Sequence, residues 1–107
     1  MILSIGEILA DMVGKQVDGQ VSFERKAGGA PFNVACGVAR FGGESGFIGC
    51  VGDDLIGDFL TDFAKAQGLS FLRVDKSEKH NTTLAFVELS PEGERSFCFY
   101  RKNTADS

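Results

Sequence analysis

The chain has 107 residues, a formal net charge of −4 and an ordinary hydrophobic share of 43%. A chain of this length forms at most one domain and buries only about two-thirds of its unfolded surface. The acidic balance, with Lys and Arg scattered along the chain, argues against a nucleic-acid partner, because phosphate binding usually leaves a basic patch. No stretch approaches the roughly 20 apolar residues of a membrane span, so we expect no membrane partner.

The three cysteines, Cys36, Cys50 and Cys98, have neither the even number of a disulfide framework nor the spacing of a zinc site. We expect them to be small buried thiols in a reducing compartment. The N-terminus lacks a basic flank, and Glu7 and Asp11 interrupt its apolar run, which argues against a secretory signal. The sequence therefore predicts a cytoplasmic protein.

The N-terminal segment predicts a strand followed by a hairpin. The apolar run at residues 1–6 ends in glycine and is short enough for a buried strand. Strand-like residues then flank a polar stretch that contains Gly14 and Asp18-Gly19. This pattern favours a hairpin over about residues 11–24.

A helix is predicted over residues 31–41, directly after the pair Gly28-Gly29. Pro31 suits the first position of a helix, so the two glycines form the loop that leads into it. Apolar residues recur at helical spacing along this segment, with small residues beside them. The glycine pair at 42–43 ends the helix, since glycine readily takes the left-handed conformation.

The chain then returns as a second buried strand at residues 46–51. Asp53 or Asp54 is expected to cap a second helix, and Gly68 to end it. Strand, helix, strand and helix in this order predict a βαβ unit with a parallel sheet. The apolar residues of the second helix fall on one predicted face: Leu55, Ile56, Phe59, Leu60, Phe63 and Ala64.

The last third of the chain predicts a second hairpin. Residues 82–89 and 95–101 are strand-like, and Pro and Gly within residues 90–94 favour a tight turn between them. Phe99 and Arg101 lie two residues apart and so share one face of the second strand. An isolated hairpin would leave that face uncovered, so we expect it to close over something.

A polyol site is the chemistry that these residues favour. Gly28 and Gly29 let a backbone approach a ligand more closely than residues with a Cβ would. Asn33, in the first helical turn, offers amide donors and a carbonyl acceptor. Asp11 can accept hydrogen bonds from two hydroxyls, each contributing about 1.5–3 kcal/mol. The structural alternatives are turn glycines, a locally bonded Asn33 and a solvated Asp11.

The same residues resemble the N-terminal signature of the ribokinase-like (PfkB) carbohydrate kinases. The resemblance rests on Ala-Gly-Gly-Ala-Pro-Phe-Asn at 27–33 and Gly-Cys-Val-Gly-Asp-Asp at 49–54. Gly-Glu-Ile-Leu-Ala-Asp at 6–11 and Phe-Tyr-Arg at 99–101 are similar to segments of the fructokinase branch. The resemblance implies an α/β fold, a partial ribokinase-like βαβ sandwich with a small β-lid hairpin. Residues 1–107 would be the N-terminal part of a kinase domain, with lid strands around 11–24 and 82–101.

The resemblance also implies which residues bind the substrate. It implies that Asp11, Gly28, Gly29 and Asn33 bind the sugar. It also implies that Phe99 and Arg101 contact the substrate or the lid. Ala30 stands where ribokinases usually carry Lys, which argues against ribose. Glu7 either faces solvent or braces the hairpin, and it stays outside the predicted site.

The sequence shows only the alcohol-binding half of a phosphoryl-transfer enzyme. It has no Gly-x-x-x-x-Gly-Lys-[Ser/Thr] phosphate loop. It also lacks the Gly-Ala-Gly-Asp motif that holds the catalytic Asp in the resembling kinases, so no catalytic residue is predicted. We expect the sugar-binding and lid portion of a kinase that uses ATP and Mg2+, with fructose as the leading substrate, and no turnover from this chain alone.

Other interpretations of the same residues stay open. The alternative sugars are 2-keto-3-deoxygluconate and other substrates of the PfkB enzymes. The alternative of a different class is a non-catalytic module that binds sugar or dimerises. A homodimer through the lid sheet is the macromolecular partner that the resemblance implies.

Overall fold

The computed structural model describes residues 1–89, 95–101 and 104–105. Its elements are β1 (Ile2–Ile5), β2 (Leu9–Val17), β3 (Gln20–Gly28), α1 (Ala30–Arg40), β4 (Ser45–Gly52), α2 (Leu55–Lys65), β5 (Phe71–Ser77), β6 (Leu84–Leu89) and β7 (Arg95–Tyr100). The strands form two sheets, with the orders β1-β4-β5 and β3-β2-β6-β7. The predicted α/β class is confirmed.

The three-stranded sheet, which we call the core sheet, is wholly parallel. β4 lies in the middle, with Ile48 beside Ile5 of β1 and Gly49 beside Val74 of β5. The rings of Phe32 and Phe47 meet edge to face, with centroids 5.1 Å apart, where α1 packs on this sheet. The buried core consists of Ile8, Ala10, Phe32, Ala35, Cys36, Phe47, Val51, Leu60 and Ala64.

The four-stranded sheet, which we call the hairpin sheet, joins the two predicted hairpin regions. β2 and β3 are antiparallel and connect through Asp18 and Gly19, both at positive φ, as two-residue hairpin turns require. β2 also pairs in parallel with β6, and β6 pairs antiparallel with β7. The first hairpin is longer than predicted, since its strands extend from Leu9 to Gly28. The predicted turn at 90–94 lies outside the described residues.

β1 is not the buried strand that its apolar sequence predicts. It has one neighbour, β4, among the described strands, so it lies at the edge of the core sheet. Ile2 is 52% exposed and Ile5 66% exposed. An apolar run indicates a buried strand only when other parts of the protein cover both of its faces.

The second helix has the predicted cap, but its predicted apolar face is not buried throughout. Asp54, and not Asp53, caps α2 by accepting a hydrogen bond from the backbone N–H of Gly57 at 2.7 Å. Leu60 and Ala64 are buried as predicted, whereas Leu55 is 82% exposed. Leu55 opens the helix just after β4 ends, so its side chain projects beyond the sheet.

Two further features were not foreseen. β5 was not predicted, because charged residues alternate with its apolar ones, as at Arg73 and Asp75. Cys36 is a buried thiol as expected, but Cys98 is exposed because it lies on the edge strand β7. Among the described residues, no helix has the length and hydropathy needed to cross a bilayer.

Candidate functional site

The loop from β3 into α1 brings the two glycines against two carboxylic acids. Gly28 is buried, and a Cβ at this position would overlap the Asp11 carboxylate, with Oδ2 as the nearest atom. Gly29 has φ of +106°, and a Cβ there would lie 2.6 Å from the carbonyl oxygen of Glu7. The glycines are therefore needed both for the backbone conformation and for the close approach of Asp11 and Glu7.

Asp11 lies on β2, where the register of the hairpin sheet sets its neighbours. It is opposite Lys26 of β3 and Ala85 of β6, and Ala85 is in turn opposite Phe99 of β7. Residues opposite one another in a sheet point to the same face. Asp11 and Phe99 therefore share one face of the hairpin sheet, separated by the small side chain of Ala85.

Burial raises the pKa of the Asp11 carboxyl, because desolvation disfavours its charged form. The carboxylate still keeps partial access to solvent and does not ion-pair with any described residue. A half-buried acceptor of this kind suits a ligand that donates hydrogen bonds, such as a sugar hydroxyl.

Asn33 lies in the first turn of α1, at the far side of the glycine loop. Its backbone N–H donates to the carbonyl of Gly29 at 2.9 Å. Its side chain is exposed and makes no hydrogen bond within the described residues. The alternative of a locally bonded amide therefore does not hold, and the amide is open to a ligand.

Arg101 follows β7 and joins the hairpin sheet to the core. Its Nη2 donates to Glu7 Oε2 at 2.6 Å, and its guanidinium carbon lies 5.5 Å from the centroid of the Phe99 ring. The Nε atom of Arg101 is buried and has no hydrogen-bond partner among the described residues. Phe99 itself is 56% exposed.

The predicted site residues thus fall into two connected groups. Asp11 contacts Gly28, and Arg101 contacts Phe99 and, through Glu7, the Gly29–Ala30 end of the loop. Asn33 is joined to them through Gly29 only. Glu7 is the residue that sequence reasoning left out, because its two partners are 23 and 94 positions away and only the fold brings them together.

The described residues form an open cavity at the hairpin sheet and a groove at the core sheet. A cavity of about 550 Å³ is bounded by Phe99 and Arg101, together with Asn81, Thr82, Leu84, Phe86, Tyr100 and Thr104. A larger groove of about 710 Å³ lies between α2 and β5 and contains the Lys76–Asp58 ion pair. The larger groove touches none of the predicted site residues, whereas Phe99 and Arg101 line the smaller cavity.

No metal centre is present among the residues that the structure describes, which contain no cluster of three or more His, Cys, Asp or Glu side chains. The charges near the glycine loop include two carboxylates, Glu7 and Asp11, and two cations, Arg101 and the cross-strand Lys26. Hydrogen-bond acceptors in this number, beside exposed backbone and an aromatic ring, suit a polyhydroxy ligand.

A parallel α/β core with a β-sheet projecting from it, and a glycine loop at their junction, defines the N-terminal part of a ribokinase-like sugar kinase. The chain belongs to the pfkB family of carbohydrate kinases, whose sequence profile matches residues 1–107.

Individual relatives agree with this assignment. The probable fructokinase-5 of Arabidopsis thaliana is 42% identical over 110 residues, which cover 99% of this chain and 34% of that protein. The crystal structure of fructokinase from Xylella fastidiosa superposes with a TM-score of 0.88 at 44% identity, over 98% of this chain and 34% of that one. A second structure of the Xylella enzyme, with bound ATP, gives a TM-score of 0.86. The chain thus spans about a third of the length of these relatives.

Proposed function

We propose that this chain is the sugar-binding and lid portion of a fructokinase, which transfers the γ-phosphoryl group of ATP to a hydroxyl of fructose. The observation that carries the proposal is the contact of Asp11 with Gly28, which holds a desolvated carboxylate beside the glycine loop. The identity of 41–44% to fructokinases supports fructose in particular.

The chain's own residues bind the sugar, orient it and exclude water. Asp11 accepts hydrogen bonds from two hydroxyls of the sugar, and the amide of Asn33 bonds a third. The exposed Phe99 ring covers one side of the ligand, and Arg101 donates to it. Excluding water in this way protects the phosphoryl group from hydrolysis and strengthens each polar contact.

ATP and Mg2+ are proposed as cofactors of the whole kinase and have no assigned residue in this chain. When bound, they supply the phosphoryl group and the charge that stabilises its transfer. The described residues include no carboxylate cluster for a metal ion, and the sequence has no phosphate loop. Within this proposal, the residues assigned in this chain all bind the alcohol substrate.

We further propose that the hairpin sheet pairs two copies of the protein in the cytoplasm. Its outer edges carry exposed apolar side chains, among them Val21, Phe23 and Tyr100. The exposed thiol of Cys98 fits a reducing compartment. Sedimentation of the chain with Phe23→Lys beside the unchanged chain tests the pairing, which the substitution should weaken.

The function is tested with a chimeric kinase, in which residues 1–107 replace the matching N-terminal third of the Xylella fastidiosa fructokinase. We expect it to phosphorylate fructose in preference to ribose and 2-keto-3-deoxygluconate. A folded chimera with ribose or the sugar acid as its best substrate would contradict the assignment to fructose. A folded chimera with no activity on any sugar would favour the non-catalytic module.

A further inference from the structure

Glu7 contacts both the start of α1 and Arg101, the residue that follows β7. It lies between β1 and β2, and its two carboxylate oxygens have different partners. Oε2 accepts from Arg101 Nη2 at 2.6 Å, and Oε1 accepts from the backbone N–H of Ala30 at 3.4 Å. The carboxylate therefore bridges α1 and the residue that follows β7.

At one end, the Glu7 bridge contacts the N-terminus of α1. Ala30 is the first residue of α1, and the N-terminus of a helix attracts negative charge. The carbonyl of Glu7 lies so close to Gly29 that a Cβ there would be 2.6 Å from it. Both the backbone and the side chain of Glu7 therefore lie against the loop.

Arg101 depends on this anchor for its orientation. One end of its guanidinium is bound to Glu7, and the buried Nε has no partner among the described residues. Leaving a buried donor without an acceptor costs free energy, so the orientation has to be imposed by another contact. The Glu7 side chain is only 29% exposed, which makes this pair stronger than a fully solvated one.

We propose that Glu7 is a positioning residue, which holds the Arg101 guanidinium beside the glycine loop, where it can donate to the ligand. The role of Arg101 as a donor to a sugar hydroxyl rests on the proposed function. The positioning of Arg101 by Glu7 does not, since it concerns the chain without a ligand.

The positioning is tested by NMR on the 107-residue chain. A fixed arginine gives an Nε–Hε resonance apart from the bulk, with slow exchange of the proton with water. In Glu7→Gln, we expect the Arg101 resonance to move to the bulk position and its exchange to accelerate at least about tenfold. The control is Glu24→Gln, which breaks the 2.8 Å pair with Lys15 elsewhere in the hairpin sheet and should leave Arg101 unchanged.

An unchanged Arg101 resonance in folded Glu7→Gln would overturn the inference. If that variant unfolds, Glu7→Asp replaces it, because the shorter side chain keeps the charge but cannot reach both partners. A resonance shifted part of the way towards the bulk supports the inference, and an unshifted one overturns it.

Kinetics of the chimeric kinase test the consequence for the ligand. In Glu7→Gln the KM for fructose should rise about tenfold, whereas kcat should change less than about twofold. Adding Glu7→Gln to a chimera that already carries Arg101→Lys should raise the KM for fructose little further, because the two substitutions remove the same interaction. Additive effects would contradict the coupling. A chimera without activity would refute the proposed function, and the NMR result would still decide the role of Glu7.

Discussion

The Asp11 carboxylate occupies the space into which a side chain at position 28 would project. The nearest atom to a Cβ on Gly28 would be Asp11 Oδ2, at a distance that real atoms do not adopt. The same carboxylate is desolvated by this packing, which raises its pKa. The glycine loop thus leaves space for the Asp11 carboxylate as well as for a ligand that binds beside it.

This contact predicts the effect of Gly28→Ala. The added methyl group must displace Asp11, so we expect a loss of about 1–3 kcal/mol in the free energy of unfolding and weaker sugar binding. The control is Gly37→Ala within α1, where a Cβ would have no neighbour within 4 Å. That substitution should stabilise the chain by about 0.5–1 kcal/mol. Chemical denaturation measures both, and equal effects of the two variants would argue against the contact.

Because the pKa of Asp11 is raised, we expect the ionised carboxylate to favour sugar binding but not the stability of the fold. The folded state favours the protonated carboxyl of Asp11, so ionisation of this group lowers the stability of the fold. This loss of stability is absent below the pKa of the unfolded state and reaches its full size above the pKa of the folded state. Asp11→Asn should therefore leave the chain as stable at pH 7 or more so, while sugar binding is lost. Binding to the unchanged chain should weaken as the pH falls through the raised pKa. A variant that is destabilised and still binds sugar would contradict this account.

Asp54 ties the hairpin sheet to the start of α2. Its carboxylate accepts from the Thr82 N–H at 3.0 Å and the Thr82 hydroxyl at 2.7 Å, and from the Gly57 N–H. We expect Asp54→Ala to cost about 1–2 kcal/mol, as for a lost helix cap. Asp53→Ala, on the exposed neighbour, should change the stability by less than about 0.5 kcal/mol.

The contribution of Asp54 should also depend on pH. Burial raises the pKa of this carboxyl, but the hydrogen bonds from Thr82, Gly57 and Ile56 outweigh it and lower the pKa overall. The contribution to stability is therefore present above the unfolded pKa and is lost as the pH falls through the folded one. Denaturation curves of the unchanged chain and Asp54→Ala should converge in acid. A constant difference between them would show that the ionised form is not the stabilising one.

The exposed edge of β1 predicts that the 107-residue chain associates in solution. Unpaired strand edges and apolar side chains invite pairing between copies, and Ile2 and Ile5 are both more than half exposed. Ile5→Lys should reduce association and the binding of a hydrophobic dye. Phe41→Lys, which replaces a 91% exposed apolar side chain outside both sheets, is the matched control for this edge. A monomeric chain that binds no dye would contradict the expectation.

The sequence predicted the fold class and the family, because these depend on local signals. Pro31 and the glycine pairs around α1 mark its ends, and Asp54 marks the start of α2. β5 and the exposure of β1 could not be predicted in the same way. Whether Ile5 is buried depends on neighbours that the strand's own residues do not specify.

The candidate site was predictable only in part, for a similar reason. Asp11, Gly28 and Asn33 stand out by motif, and the structure brings the first two into contact. The partnership of Glu7 with Arg101 spans almost the whole chain, and no spacing or periodicity indicates it. The roles of all these residues in sugar binding stay predictions.

The central claim is that the carboxylate beside the glycine loop binds a ketose. Titration calorimetry of fructose into the chimeric kinase without ATP measures this binding directly, with Asp11→Asn as the test variant and Asp53→Asn as the control. We expect heat of binding from the unchanged chimera and from Asp53→Asn, and none from Asp11→Asn. Undiminished binding of fructose by a folded Asp11→Asn chimera would contradict the claim.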